Sequence, residues 1–440
     1  MAEDPLDAPI LGLVQIFSQG EAVCKPIRIG PAALELGRVA GPDAFMVEDD
    51  RVSRRHTRIA IAGSGVRVTD LDSRNGTAVD GRRINDETFT TLPRVLRIGQ
   101  TLFRFTRDLR PFLRGGVEIS GREVIGPTLR VSREQIARAA ATGNTVLITG
   151  PSGAGKELAA RAFHEASGRG EHPFIAVNCA AIPTGLAESL LFGAKKGSHS
   201  AATVDTDGYV VAADKGTLFL DEIAELDTAV QAKLLRMLEM REVLPLGASR
   251  PRKVDVQICT ATLKDLRGEV SSGHFRQDLY FRIGRPEVCL PALVERLEEM
   301  PSLAQTELVA IDPELKLHVS FIEAAALRAW PGNVREFVQE VKLSGRLARD
   351  GKRLSVEAKD LSASAGIEIK EASSRPPSGP RPADHSKENI LATLRKEKGN
   401  VTRAAKALGL HRNQLRRWID KNKIDPKTYG GEDTDEPSSQ

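Results

Sequence analysis

Aromatic side chains make up only 4% of this chain, with two tryptophans and three tyrosines, so its cores must be built from Leu, Val, Ile and Ala. Cysteines number four, Cys24, Cys179, Cys259 and Cys289, and stand far apart. Without paired ligand spacing they argue against a zinc site or a disulfide framework, and for a reducing compartment. No apolar run approaches the ~18 residues of a membrane span, and the opening MAEDPLDAPI is acidic, unlike a secretory leader. The expected location is cytoplasmic, with no membrane partner. An overall excess of one charge is also missing: the net charge is +4. Its distribution is uneven. Residues 385–423 carry 11 Lys/Arg against 3 Asp/Glu, whereas residues 424–440 carry 5 acids against 1 lysine. A basic module followed by an acidic tail points to a polyanion partner for the former.

What is present is apolar enough, 40% of 440 residues, to fill about two to four domains. The central stretch, residues 150–157, reads GPSGAGKE. It follows an apolar run, TVLIT at 145–149, that reads as a buried strand, and precedes LAARAF at 158–163, which reads as a helix. Strand, glycine-rich turn, Gly-Lys and helix form the setting of a phosphate-binding loop. Gly150, Gly153 and Gly155 let backbone N–H groups turn toward phosphate oxygens, the helix N-terminus adds its positive dipole end, and Lys156 supplies a point charge. Glu157 stands where the general pattern has Ser or Thr, so the usual magnesium-binding hydroxyl is missing.

Downstream, residues 216–222 read GTLFLDE, a buried strand ending in Asp221 and Glu222. This is the Walker B pattern, in which the aspartate holds Mg²⁺ through water and the glutamate polarises the attacking water. A second apolar strand, FIAVN at 174–178, ends in Asn178. Strands alternating with helical stretches such as AVQAKLLRML at 229–238 predict an α/β parallel sheet.

The N-terminal residues 10–108 lack helical periodicity. Short β-rich runs at 11–17, 45–47, 57–61, 66–68 and 102–105 predict a β-sandwich. Loops between them carry Gly37-Arg38, then Ser53-Arg54-Arg55-His56, then Asn75-Gly76-Thr77. Arginines, a hydroxyl and an amide near one edge of a sandwich can hold a phosphate by charge-assisted hydrogen bonds. Taken singly, Asn-Gly is a hairpin turn and His56 a structural histidine.

At the other end, residues 367–386 include SSRPPSGPRPADHS, which reads as a flexible linker. Three helices follow, at 387–397, 402–408 and 411–421, with Asn400 or Thr402 as the middle cap and Gly409 as the turn. Ala404, Ala405, Leu408, Leu415 and Trp418 form the expected core. The last helix carries His411, Arg412, Asn413, Gln414, Arg416 and Arg417, types that read base edges and bind phosphates in a helix-turn-helix. The closing residues 424–440 read as a disordered acidic tail.

Each module resembles a known one. The N-terminal clusters resemble the forkhead-associated (FHA) domain, which implies phosphothreonine recognition by Arg38, Ser53 and Arg54, with Asn75 on the peptide backbone, Arg74 beside it and His56 buttressing the loop. Residues 119–351 resemble the AAA+ domain of the bacterial enhancer-binding proteins, the sigma-54-dependent activators, in which Glu157 is usual. That resemblance makes Asn178 a switch partner of Glu222, makes Arg276 and Arg282 in FRQDLYFR arginine fingers reaching the neighbouring subunit, and makes Arg335 in WPGNVRE the sensor from the lid. Fingers acting in trans imply a ring, a hexamer in this family, with ATP and Mg²⁺ as cofactors. GNVTRAAKALGLHRNQLRRWI resembles the family's Fis-type DNA reader, with Thr402 among its contacts.

The expected architecture is thus a β-sandwich at 10–108, an α/β P-loop ATPase with a helical lid at 119–351, the lid end and linker at 352–386, and an all-α helix-turn-helix at 387–423. The expected function is ATP-dependent, DNA-binding transcriptional regulation controlled by phosphothreonine binding, with a serine/threonine kinase upstream. Two departures keep an alternative open. Where the family's sigma-54-contacting loop reads GAFTGA, residues 197–202 read GSHSAA, with His199, Ser200 and Ala201 at the altered positions. Where sensor I ends Ala-Thr-Asn, this chain has Ala261-Thr262-Leu263, and leucine has no polar group to offer a water or phosphate. The alternative is a DNA-binding regulator, repressor or activator with another sigma factor, that does not remodel sigma-54. A phosphopeptide scaffold with a vestigial ATPase is a third reading, opposed by the intact Walker B.

Overall fold

The computed structural model describes residues 8–39, 44–121, 123–143, 145–183, 185–198, 204–368, 387–408, 410, 412–422, 424–425 and 428. The chain divides into two units, Met1–Glu368 and Ile369–Gln440.

The first unit begins with two packed sheets. One has six strands, in the order Glu21–Arg28, Gly12–Ser18, Thr101–Thr106, Val95–Ile98, Thr77–Val79 and Arg82–Ile84. The other has five, in the order Ala44–Met46, Leu34–Gly37, Thr57–Ala62, Gly65–Asp70 and Asp86–Phe89. Alternation along the strands sends Leu13, Leu36, Ile59, Val66, Val68, Leu96 and Phe103 into the space between the sheets. This is the expected β-sandwich.

One strand departs from alternation. In Gly12–Ser18 the first six residues are all buried. Leu13 faces the sandwich, while Val14, Ile16 and Phe17 face outward into a second core. A register shift between Gln15 and Phe17 marks a bulge that allows Ile16 and Phe17 to share that outer side. A strand covered on both faces needs apolar residues throughout, which is why LVQIF reads as a run.

The nucleotide-type core follows. Five parallel strands are ordered Phe174–Asn178, Thr217–Asp221, Gln257–Thr262, Val146–Thr149 and Glu287–Cys289. Helices Pro127–Ala141 and Lys156–Ala166 cover one face, burying Ile136, Ala160 and Phe163 against Ile148 and Phe219. Thr228–Met240 contributes Leu234 and Met237 to the separate core that includes Leu218 and Leu220. The expected helix at 229–238 lies inside this last element.

A helical lid closes the unit: Met300–Ile311, Val319–Ala326 and Asn333–Asp350. Trp330 is its buried hub, donating its indole N–H to Ala325 O at 2.7 Å and meeting Phe337 edge-on. The lid end expected from 352 onward is folded. Ser355–Val356 pairs in parallel with Lys316–Leu317, Arg353 binds Asp360 at 2.6 Å, and Gly366 O accepts from both Ala329 N and Trp330 N. Residues 352–368 are thus folded lid, held by contacts that no local pattern announces. The rest of the expected linker, 369–386, lies outside the described residues.

The second unit is a three-helix module, Lys387–Lys396, Val401–Ala407 and Arg412–Lys421. Asn400 is the middle cap, its side chain accepting from Arg403 N at 3.0 Å. Ile390, Leu394, Ala404, Ala405, Leu408, Leu415 and Ile419 form the core. Trp418 is only half-buried at its margin, and Ile419 takes the central place expected for it. Ile424 packs on the same core, so the folded module runs past the expected end at 423; residues 429–440 of the tail lie outside the described residues.

Candidate functional site

The glycine-rich turn leaves the Val146–Thr149 strand and enters the Lys156–Ala166 helix, as its residues dictate. Gly150, Gly153 and Gly155 have φ of 145°, 72° and 104°, values that favour glycine. A side chain at Gly153 would also meet Gly332 O at 2.1 Å, so the loop and the lid touch there directly. Lys156 is buried, donates to Gly150 O at 3.2 Å and lies 3.7 Å from Glu222. Glu157 points elsewhere, pairing with Arg161 at 2.9 Å one turn along the helix.

Asp221 ends the Thr217–Asp221 strand and Glu222 follows it, at the carboxyl edge of the parallel sheet where ligands of such sheets bind. Glu222 has φ of 52°, an uncommon backbone for a non-glycine residue. Its carboxylate accepts the Leu263 N–H at 3.0 Å. Leu263 thus contributes a main-chain donor to the site, while its side chain is half exposed. Asn178 lies on the neighbouring strand, but its Oδ1 accepts from Ala180 N at 3.0 Å, capping the short helix that follows.

Gly153, Gly155, Lys156, Glu157, Asn178, Asp221 and Glu222 line one cavity of about 440 Å³ together with Arg335. Sequence reasoning missed its remaining walls: Glu123, Val124, Leu129, Arg133, Leu290, Arg296, Glu299, Leu303 and Val334. They come from five separate elements and the segments beside them, and apart from Val334 in WPGNVRE they belong to no motif. Two lid-side residues grip the loop itself. Asn333, buried with φ of 51°, donates to Ser152 O at 2.9 Å and accepts from Leu293 N at 2.9 Å. Arg296 donates to Ala154 O at 2.7 Å and to Glu299 at 3.1 Å. Burial pushes the Glu299 carboxyl up to about 7, opposed by the Arg296 charge and reinforced by neighbouring Glu298.

Arg276 precedes the Gln277–Ile283 helix and Arg282 stands in its last turn, both exposed and outside the lining of this cavity. Arg276 makes a two-pronged pair with Asp278, at 2.7 and 3.1 Å. The loop residues His199, Ser200, Ala201 and Ala202 lie outside the described residues.

A second cluster forms at one end of the sandwich, where the loops bearing Arg38, Ser53, Arg54, Arg74 and Asn75 converge. A side chain on Gly37 would sit 2.2 Å from Arg54 O, so glycine is required for Arg38 N to reach Ser53 O, at 3.0 Å. Ser53 Oγ accepts from Arg74 N at 3.0 Å, which leaves its own O–H free to donate. The Asn75 amide donates to Arg51 O at 2.6 Å. Arg38, Arg54 and Arg74 are exposed.

Beneath them His56 is fully buried. Its Nδ1 accepts from Ser53 N at 3.1 Å and its Nε2 donates to Gly76 O at 3.2 Å. Only the neutral ring protonated on Nε2 makes both bonds. Burial holds its pKa below the usual value, against the Gly76 carbonyl and the Asp70 and Asp49 charges.

In the C-terminal module Arg412, Gln414, Arg416 and Arg417 are exposed on the last helix and Thr402 on the middle one. His411 and the Asn413 side chain lie outside the described residues.

Comparison with known proteins agrees with this arrangement. Residues 34–101 match the FHA domain, 125–288 the sigma-54 interaction domain, and 382–421 the Fis family of bacterial regulatory proteins. The chain is 42% identical over 300 residues to the hydrogenase transcriptional regulatory protein HoxA of Bradyrhizobium diazoefficiens, covering 63% of this chain and 59% of HoxA, less than two thirds of its length. It is 38% identical over 310 residues to the response regulator PilR of Pseudomonas aeruginosa, covering 68% of this chain and 69% of PilR. Among solved structures, NtrX of Brucella abortus in complex with ADP superposes with a TM-score of 0.50 at 32% identity, covering 69% of this chain and 70% of NtrX. With a sigma-54 interaction domain around its phosphate loop and a Fis-type module behind it, the chain belongs to the family of sigma-54-dependent bacterial transcriptional regulators.

Proposed function

We propose that the protein is a DNA-binding transcriptional regulator whose AAA+ core binds and hydrolyses ATP, under control of phosphothreonine peptides at its FHA domain. The observation that carries this reading is the convergence of loop residues 152–155, Lys156, Asp221 and Glu222 on one cavity. Main-chain N–H groups of the loop and the Lys156 ammonium bind the outer phosphates. Asp221 offers the carboxylate that would hold Mg²⁺ beside the phosphates. With Mg²⁺ bound, charge developing on the phosphoryl group is neutralised. Glu222 accepts a proton from the attacking water, for which it must leave the Leu263 N–H and take up a water instead.

Arg276 and Arg282 act on a neighbouring protomer's ATP, because in their own protomer they stand outside the cavity lining. Hydrolysis therefore requires assembly, with a hexameric ring as the family's form. At the other modules, Arg38, Ser53, Arg54, Arg74 and Asn75 hold the phosphopeptide, and Thr402, His411, Arg412, Asn413, Gln414, Arg416 and Arg417 meet DNA.

One observation favours a second output. The GSHSAA loop lacks the aromatic tip and second glycine of GAFTGA, which supports a regulator whose ATPase drives assembly on DNA without remodelling sigma-54 polymerase. The test is ATPase activity against protein concentration, with Glu222→Gln as control, and capture of sigma-54 in a trapped nucleotide state. Activity that rises with concentration supports the ring ATPase, and capture of sigma-54 decides for remodelling. Activity equal to that of Glu222→Gln at every concentration refutes the ATPase reading.

A further inference from the structure

The outer face of the six-stranded FHA sheet is the floor of the lid. Val14, Ile16, Phe17, Val95 and Leu102 share one buried cluster with Met300, Leu303, Leu308, Phe321 and Ile322. Polar contacts rim the seam: Gln305 donates to Gly20 O at 2.8 Å and accepts from Ala22 N at 3.3 Å, and Arg97 pairs with Glu323 at 2.7 Å. The FHA sheet and the lid therefore share one buried apolar core.

A cation stands within that seam. Arg104, opposite Val14 in the strand register, is mostly buried and pairs with the fully buried Glu298. The other oxygen of Glu298 accepts from Thr128 N at 3.2 Å. Glu299, its neighbour, accepts from Gly126 N at 2.8 Å and from Arg296. These two carboxylates thereby take the first orphan N–H groups of the Pro127–Ala141 helix, whose start leads into the cavity wall at Leu129 and Arg133. Gly126 is packed against them so closely that an added side chain would lie 2.7 Å from Glu299 Cγ. Arg296 then reaches Ala154 O of the phosphate loop. Two sets of ionic and hydrogen bonds, Arg104–Glu298–Thr128 and Gly126–Glu299–Arg296–Ala154, joined through the backbone at 126–128 and 298–299, link the FHA sheet to that loop.

We propose that Arg104, a residue of the FHA sheet, is a positioning residue for the nucleotide pocket: it is the counter-ion that holds Glu298, and through it the 126–128 helix start, Glu299 and Arg296, in place around the phosphate loop. The physical basis is the asymmetry of buried ion pairs. The intact pair adds little net stability, but removing one partner strands a charge with no water to receive it. Glu298 then moves or draws in water, and the helix start and loop that it helps to anchor move too. The proposal rests on the reading of the cavity as a nucleotide site.

The test uses the full chain and three variants, Arg104→Met, Arg104→Lys and the double variant Arg104→Met/Glu298→Gln. Two quantities are read: affinity for a fluorescent ADP analogue, and amide exchange of residues 150–156 without nucleotide. Arg104→Met is expected to weaken ADP binding by about tenfold, the effect of roughly 1.4 kcal/mol, and to speed exchange in the loop. Arg104→Lys, which keeps the charge, is expected to lose about threefold or less, and the double variant to recover most of the loss. If Arg104→Met does not fold, the comparison is between wild type, Arg104→Lys and Glu298→Gln. Wild-type affinity and exchange in every folded variant would overturn the proposal. Absence of ADP binding by the wild-type chain defeats the nucleotide reading itself, and loop exchange then still decides whether Arg104 positions the loop.

Discussion

Replacing His56 by alanine tests the claim that a buried ring shapes the phosphopeptide loops without touching the ligand. The ring bridges two loops, accepting from Ser53 N and donating to Gly76 O, and has no exposed surface. Alanine leaves one buried donor and one buried acceptor without partners, each costing about 1–3 kcal/mol, less whatever water recovers. It also removes the packing of a ring at the sandwich edge. A loss of about 3 kcal/mol in stability is expected. Because Ser53 and the Arg74-Asn75 pair ride on these loops, phosphothreonine peptide affinity should fall by about tenfold or more, at roughly 1.4 kcal/mol per decade.

The pH dependence has a definite sign. His56 takes a proton in the unfolded chain near the ordinary value of about 6.5 but resists it when folded, because burial lowers its pKa. The unfolded state therefore binds more protons as pH falls below about 6.5, and stability drops until pH passes below the folded value. Protonation would also set Nδ1–H against Ser53 N–H. Thermal unfolding from pH 7 to 5 and peptide binding by fluorescence anisotropy measure both effects. A His56→Ala chain within about 0.5 kcal/mol of wild type, with unchanged peptide affinity, would refute the reasoning.

Three further outcomes follow from the site. Arg276→Ala should lower kcat by about 10³-fold if the guanidinium acts on a neighbour's ATP, whereas Asp278→Asn, which releases Arg276 from its internal partner, should leave kcat intact or raise it; steady-state ATPase assays at saturating protein concentration check both. Asn333→Ala should weaken ADP binding by about tenfold, because it frees Ser152 O and Leu293 N together, as read by calorimetric titration. Glu299, held at about 7 by burial, keeps its proton when folded while the unfolded chain releases it near 4.5, so this group's contribution to stability falls as pH rises from 4.5 to 7. Glu299→Gln should flatten that part of the stability curve, which urea unfolding at pH 5 and 7 would show.

Much of the site could be read along the chain because its chemistry is local. A phosphate loop needs glycines at fixed steps before a helix, and residues 150–157 spell them; the three glycines indeed have positive φ. Asp221 ends a strand whose apolar run needs burial on both faces and Glu222 follows it, and the structure places that strand inside the sheet, between Phe174–Asn178 and Gln257–Thr262. Capping and turn chemistry are likewise local, so Asn400 caps its helix. Where the sequence misplaces a detail, the detail depends on partners distant in sequence: Trp418 against Ile419 is a question of helix phase against two other helices.

The sequence by itself therefore determined the modules, their order, and the residues whose roles follow from short-range backbone geometry and donor type. Only the tertiary structure decided what the modules do to one another. Nothing in LGLVQIF states that its outer face meets Met300 and Leu308, since burial on both faces looks the same whatever the cover. Nothing local pairs Arg104 with Glu298, or sends Arg296 to Ala154 O and Asn333 to Ser152 O. The physical reason is range: hydrogen-bond geometry along the backbone is set within a few residues, but the partner of a buried charge is whatever the packed fold brings to it.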